Sequence, residues 1–435
     1  MPLQSTSTAE NYAPYLLALL LESPTWVHRR VEQVELVDDR TVFHSVSTDL
    51  SLGDCSLGKE YVDLYAKKLL PQLLIPVGLL DKRPLECFNL RDSRGGSLSL
   101  FTQRETTPMA TQMMLQLAKQ EGYDAEPLRR NIEAIVDAQP PPSVNQLAGW
   151  PSSGDSRDNR ELAGALWEEP AFRFLLTHFA AKFLAVAICP SDYCSDRKLL
   201  KFSYTTPLPW RRLTPLRRLG ASELSFSVPL PLVRLSASYH VEVQSPEGTD
   251  VLYAQILRQE QIRNGRAIVN APDPEDCVAG PRSRAHLYVQ DQKFTDNSEY
   301  MLTFQLILQR RGLVRSAFVT TLFTAIVLAV LWIFRTRVTT EHNSAAAFLL
   351  IIPGLAAAYI SRPNEHAAAS RMCLGLRSVV SLAGACALTA AGVLNLSVSP
   401  WVATLAYGAC TVVAVACLLV ALVTYAVTAH GESAD

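Results

Sequence analysis

Ser316-Ala-Phe-Val-Thr-Thr-Leu-Phe-Thr-Ala-Ile-Val-Leu-Ala-Val-Leu-Trp-Ile-Phe334 runs 19 residues without a charged side chain. At about 1.5 Å of rise per residue, a helix of this length nearly crosses a hydrocarbon core of about 30 Å. It also marks a sharp change in composition. Between Ser316 and Ala429 the only charged residues are Arg335, Arg337, Glu341, Arg362, Glu365, Arg371 and Arg377, and the last Lys of the chain is Lys293. Too little of this segment can face water for it to be an ordinary soluble domain.

Three further apolar runs follow. Ser344–Ser361 is interrupted by Pro353-Gly354. Ser378–Leu396 is rich in Ala, Gly and Ser, which let helix backbones approach closely in lipid. Trp401–Ala429 is the longest, with Trp401, Tyr407 and Tyr425 as interfacial anchors. Asn395, Ser397, Ser399 and Pro400 supply the turn before it. The expectation is a transmembrane bundle of four helices over about 316–334, 344–361, 378–396 and 401–429. A re-entrant second run is the alternative.

Arginine placement sets the expected orientation. Arg310, Arg311 and Arg315 precede the first run, and Arg362, Arg371 and Arg377 follow the second, against Arg335 and Arg337 on the other side. The positive-inside bias then puts both the region before Ser316 and the C-terminus in the cytosol of a multi-pass cell-membrane protein.

Working back from the first run, the chain changes character. Of the 40 Lys and Arg residues only five lie after Arg315, and of the 41 Asp and Glu only four. The first 315 residues therefore carry 35 basic and 37 acidic groups, a net of −2 with the signs interspersed. That balance suits a globular region and gives no general attraction to nucleic acid. The start lacks the basic segment of a secretory signal, and its apolar run Tyr12–Leu21 contains Pro14, which reads as a buried or amphipathic helix. Cys55, Cys87, Cys189, Cys194 and Cys277 are too few for a disulfide framework and fit a reducing compartment.

This region reads as α+β, with two β-rich stretches flanking a helical one. Residues 1–105 are β-rich: Val31–Val37 and Thr41–Leu52 pair around Asp38-Asp39-Arg40, and Glu86–Leu90 and Ser97–Thr102 bracket a Gly-containing turn. Residues 106–197 are helical, with helices from Thr107-Pro108 to Gln120, over Glu126–Ala138 and Arg160–Glu168, and through Ala171–Ile188. That last run is nearly long enough to span. Arg173 and Lys182 offset its apolar gain, so it reads as a soluble core helix. Residues 198–312 read as an antiparallel sandwich-like β domain, in which Tyr239, Val241 and Val243 alternate with Ser238, His240 and Glu242. Residues 313–435 form the transmembrane domain. The phrases Leu235-Ser-Ala-Ser-Tyr-His-Val-Glu-Val-Gln-Ser-Pro246 and Lys82-Arg-Pro-Leu-Glu-Cys-Phe-Asn-Leu-Arg-Asp92, with the terminal helix cluster, resemble bacterial multi-pass membrane proteins with an N-terminal cytosolic α+β region. The resemblance implies that layout and no particular activity.

Several stretches carry chemistry-bearing residues, and each has a plainer reading. Gly53-Asp-Cys-Ser-Leu-Gly58-Lys59 has P-loop spacing, but Glu60 stands where Mg²⁺ binding needs a hydroxyl, and Asp54 and Glu60 repel phosphate. A strand-to-helix turn is favoured. Ser238, His240 and Glu242 share a strand face, yet side chains on alternate strand positions lie side by side and lack the exposed turn of a nucleophile. Cys189 and Cys194 offer half a zinc site without a second pair at convincing spacing. No catalytic, cofactor or metal residues are therefore assigned. Trp210-Arg-Arg-Leu-Thr-Pro-Leu-Arg-Arg-Leu219 combines paired arginines with apolar residues and suits anionic headgroups. Arg211, Arg212, Arg217, Arg218, His240 and Glu242 are the candidate lipid or partner contacts.

The functional expectation is a membrane-anchored binding, scaffold or sensor module, without a cofactor and engaging the bilayer and a protein partner. A transporter or channel subunit is the first alternative and a membrane-bound enzyme the second. Against transport, none of the four runs contains Asp, Glu, Lys or Arg, which ion pathways usually need.

Overall fold

A computed structural model describes residues 6–38, 40–54, 56–82, 86–142, 146–147, 149–150, 157–194, 197–208, 214–260, 268–269, 277–290, 298–334, 343–362, 366–396 and 399–432. The α+β region before the apolar helices contains three sheets. Strands β1 (Val27–Leu36) and β2 (Thr41–Leu50) form the expected hairpin. Strands β3 (Leu73–Asp81), β4 (Glu86–Arg91) and β5 (Ser99–Leu100) follow, then β6 (Lys182–Cys189), β7 (Lys198–Pro207), β8 (Leu224–Pro229) and β9 (Ser238–Gln244). The last are β10 (Thr249–Glu260), β11 (Ile268–Val269), β12 (Cys277–Arg282), β13 (Arg284–Gln290) and β14 (Ser298–Leu308).

The first sheet runs β13-β9-β1-β2-β7-β4 and joins strands from both β-rich stretches. Its β1–β9 pairing is parallel and the remaining pairs are antiparallel, so the sheet is mixed. The second sheet, β11-β10-β14-β8 with β12 on β10, is antiparallel. The strands of 198–308 are thus divided between two sheets.

The third sheet, β3-β6-β5, lies in the core. Residues 73–80 of β3 are all buried, as a strand covered on both faces must be. On one side Tyr61 exchanges hydrogen bonds with the backbone of Leu74, its hydroxyl accepting from N–H at 2.8 Å and donating to the carbonyl at 3.1 Å. Further along the strand, Arg30 of β1 donates to the Val77 carbonyl at 2.8 Å. Helix Thr6–Leu21 buries Tyr12, Leu16, Leu17 and Leu20 in the same core, as its apolar run implies.

One expectation is corrected here. Ala171–Ile188 is not a single helix: helix Pro170–Ala181 ends at Lys182, whose extended backbone (φ −129°, ψ 154°) opens β6. A continuous apolar run suits a doubly covered strand as well as a buried helix, and periodicity does not separate them. The helix expected from Thr107-Pro108 begins earlier, at Gln103. There Thr102 and Glu105 form a reciprocal capping box, with the Thr102 N–H donating to Glu105 at 2.7 Å.

Three C-terminal helices are long and apolar enough to cross a membrane, over Arg310–Phe334, Leu374–Asn395 and Pro400–Thr428. Helix Asn343–Ile360 offers a shorter apolar stretch, Ala345–Ile360. It lies against Leu374–Asn395 through small residues: a Cβ at Gly384 would stand 2.5 Å from Cβ of Ala357. Phe323, Ile326, Phe348, Leu355, Leu405 and Val412 face outward and are exposed.

Candidate functional site

The core-facing side of the first sheet carries charge where alternation alone would place apolar residues. Along β1 the inward set is Arg30, Glu32, Val34 and Leu36. β2 contributes His44, β7 Tyr204, and β9 Tyr239. His44 Nδ1 lies 2.5 Å from Glu32 Oε1, and Tyr239 donates its hydroxyl to Glu32 Oε2. On the other side of the ring, Nε2 lies 2.9 Å from the Thr206 hydroxyl. Tyr204, opposite His44 in register, stacks on the imidazole at a centroid distance of 4.6 Å. Burial holds the Tyr204 phenol well above its usual range, with Glu32 and Asp81 adding to it.

Arg30 supplies the countercharge. Its guanidinium is fully buried, and burial draws its pKa down to about 10 against the opposing pull of Glu32. Nη2 donates to Val77, whereas Nε and Nη1 find no hydrogen-bond partner among the described residues.

His44 and Thr206 open onto a cavity of about 350 Å³ between the first sheet, the β3–β6 layer and the β8–β14 edge. Its other polar residues come from separate elements: Asp81 from the end of β3, His178 from helix Pro170–Ala181, Lys182 from β6, and Arg234 from the short turn Val233–Leu235. Asp81 and Lys182 face each other in register. The Arg234 guanidinium sits over the rings of Phe174 and Tyr300, 5.4 and 5.7 Å from their centroids. Leu80, Pro229, Leu230, Pro231 and Met301 complete an apolar wall.

Inside the cavity wall, His178 is held unprotonated. Burial, then Lys182 and Arg234, bring its pKa down to about 3. Nδ1 is 2.8 Å from the Phe174 carbonyl and therefore donates to it, leaving Nε2 as an acceptor. The arrangement can hold a small molecule by cations, hydrogen bonds and apolar contact. Thr206 lies on a regular strand, without the sharp turn that exposes a nucleophile, so its hydroxyl serves as a polar contact rather than an attacking group.

The contacts expected from sequence lie elsewhere. Arg211 and Arg212 fall outside the described residues. Arg217 is half-buried and Arg218 exposed, at the end of helix Pro215–Arg218. This helix meets the base of the apolar helices, where a Cβ at Gly375 would stand 2.7 Å from the Arg218 carbonyl and Thr424 donates to Leu219 at 3.4 Å. His240 and Glu242 lie on the outer face of β9, opposite to buried Tyr239 and Val241. There His240 Nδ1 is 3.2 Å from His286 Nε2, and burial, Arg29 and His286 lower the His240 pKa.

Gly53 and Asp54 fall in a short 3-10 turn between β2 and helix Ser56–Ala66, and Asp54 pairs with His28 at 2.8 Å. Burial pushes the Cys189 thiol up to about 12. Among the described residues, no three of His, Cys, Asp and Glu converge where a metal ion could sit. Comparison with known proteins returned no match, whether to a family model, a curated protein or a solved structure.

Proposed function

We propose that the chain is a membrane-anchored binding module or sensor, which takes a small ligand in the cavity lined by His44, His178, Lys182 and Arg234. The observation that carries this reading is the cavity itself. Its volume of about 350 Å³ falls within the roughly 300–1,000 Å³ typical of small-molecule sites, and its polar groups converge from separate strands, a helix and a turn beside an apolar wall. In this reading Asn343–Ile360 is a fourth span, the two larger sheets form a sandwich-like layer, and the arginine bias places the α+β region and the C-terminus in the cytosol. Arg217 and Arg218, at the base of the helices, then lie within reach of anionic headgroups.

The test is ligand binding by the full chain in detergent, read as a rise in thermal midpoint across a panel of small acids, amines and neutral compounds. Ligand binding to the native state raises the midpoint by mass action. A compound that stabilises the wild type should lose most of its effect in Met301→Trp, whose bulkier indole intrudes on the cavity. Full stabilisation of that variant would place the ligand elsewhere and overturn the reading.

A further inference from the structure

We infer that the ligand of this cavity is a small neutral hydrogen-bond donor: an apolar body carrying a hydroxyl or amide N–H, which donates to Nε2 of His178. The inference rests on the binding reading above and adds the chemical class. The direction of the hydrogen bonds open to the His178 ring carries it. The Phe174 carbonyl can only accept, so Nδ1, 2.8 Å away, holds the ring proton. In the neutral ring Nε2 is then a bare lone pair. It accepts from no donor among the described residues. Nor is it sealed off: the enclosed side-chain atoms without a partner include Arg30 Nε and Thr48 Oγ1, but not His178 Nε2. An unpartnered acceptor that reaches open space, on a residue lining the cavity, is complemented by a donor on the ligand.

The rest of the lining agrees. Asp81, at the end of β3, is a second group that only accepts, and its carboxylate takes no hydrogen bond from the described residues. Thr206 can both donate and accept, so it selects for neither. Burial, then Lys182 and Arg234, keep a positive charge off Nε2, as the His178 pKa of about 3 records. The donor at that nitrogen is therefore a neutral one rather than an ammonium. Asp81 already has a cation, Lys182, opposite it in register. Leu80, Leu230 and Pro231 offer the body of the ligand only apolar contact.

The experiment is isothermal titration of the full chain in non-ionic detergent with phenol and benzyl alcohol, beside anisole and benzyl methyl ether, in which the donor is methylated. Each hydroxyl compound should bind about fivefold more tightly than its ether, as one net hydrogen bond gives. His178→Phe keeps a ring and should erase that preference, whereas His178→Gln, whose amide keeps an acceptor, should retain part of it. Wild type and variants share one micelle, so partition into detergent cancels between them. If the hydroxyl compounds fail to bind, or bind no better than their ethers, the donor assignment falls. Should His178→Phe fail to fold, that wild-type comparison decides alone. The cavity reading survives the loss of the donor assignment where a compound of another class still loses most of its stabilisation in Met301→Trp. If Met301→Trp binds the hydroxyl compounds at full strength, both readings fall. A preference that persists in His178→Phe overturns the role of His178. Tighter binding of benzylamine or benzoate than of benzyl alcohol would show a charged ligand and overturn the neutral class.

Discussion

Glu32 and His44 sit on neighbouring strands, both at most 1% exposed, with Oε1 and Nδ1 2.5 Å apart. Each of the carboxylate's oxygens is used, one by His44 and the other by Tyr239. Arg30, two residues away on the same face of β1, provides the opposite charge. A buried carboxylate is tolerated only when its charge and lone pairs are met in this way. The network also fixes the ring of His44 at the cavity edge, linking the sheet core to the site.

Removing one member should therefore cost more than its own contacts. Glu32→Ala leaves Arg30 buried without its countercharge, and is expected to destabilise the chain by about 3–5 kcal/mol. Arg30→Met removes the countercharge of Glu32 in turn, but should cost less, because Glu32 keeps its contacts with His44 and Tyr239 while Nε and Nη1 of Arg30 have no hydrogen-bond partner among the described residues. Thermal unfolding of both variants checks the order. A lower midpoint for Arg30→Met than for Glu32→Ala would show that the guanidinium holds the layer together.

His178 gives a pH dependence of definite sign. Its folded pKa is about 3, below the unfolded value of about 6.5, so the unfolded chain binds the proton more readily. The contribution is fully present above about pH 6.5. It is lost as pH falls toward 3, at up to about 1.4 kcal/mol per pH unit. His178→Gln removes the ionisation, so its stability between pH 6.5 and 4.5 should fall less steeply than that of the wild type. Equal slopes would show that His178 protonates freely in the folded chain.

The sequence made the apolar helices, the β1–β2 hairpin and the alternation in β9 legible, because each depends on local periodicity. It left β3 unread: Leu73-Leu-Ile-Pro-Val-Gly-Leu-Leu80 holds a Pro and a Gly, both of which normally count against a strand interior. The structure places a bulge between Pro76 and Gly78, which accommodates them. The capping signature Thr102-x-x-Glu105 stands ahead of Pro108 and marks the helix start that the proline does not. The cavity was not readable at all. Glu32 and His44 meet only through strand pairing, and Lys182 and Arg234 only through packing between elements some fifty residues apart. Chain order carries no signal for either meeting. Ser238, His240 and Glu242 lie close in sequence, yet they sit on the outer face of the sheet.

Gly78 is a second consequence of that packing. A Cβ there would stand 2.4 Å from Leu232 Cδ2, with Arg30 Nη1 at 3.6 Å. Gly78→Ala should destabilise by about 1–3 kcal/mol through overpacking. Leu232→Ala alone opens a cavity at a fully buried position, and the double variant should be less damaged than the sum of the two changes. Simple additivity in thermal unfolding would rule out the proposed contact.

The membrane topology has a direct test in reporter fusions or engineered cysteines. With Asn343–Ile360 as a span, labels at 5, 370 and 432 should all report the cytosolic side, and a label at 339 the opposite side. If that helix is re-entrant, the label at 432 moves outside while that at 5 stays inside. A label at 5 reporting outside would reverse the orientation and expose Cys87 to an oxidising compartment.

The last prediction concerns the joint between the α+β region and the helices. After β14 the chain turns at Gly312, whose φ of +101° and ψ of −125° suit glycine alone. Arg310, just before the turn, donates to the Tyr425 hydroxyl at 2.7 Å and lies 4.3 Å from its ring centroid. The joint is thereby tied to the final helix. Tyr425→Phe keeps the ring contact and loses the hydrogen bond, whereas Tyr425→Ala loses both. A cation–π contact contributes about 0.5–2 kcal/mol and a hydrogen bond to a charged group about 1.5–3 kcal/mol. Limited trypsin cleavage after Arg310, Arg311 and Arg315 reads local opening of the joint directly. The rate should rise from wild type to Tyr425→Phe to Tyr425→Ala, and Gly312→Ala should raise it through backbone strain while leaving Tyr425 in place. Unchanged cleavage in Tyr425→Ala would mean that packing of the first apolar helix alone holds the joint closed.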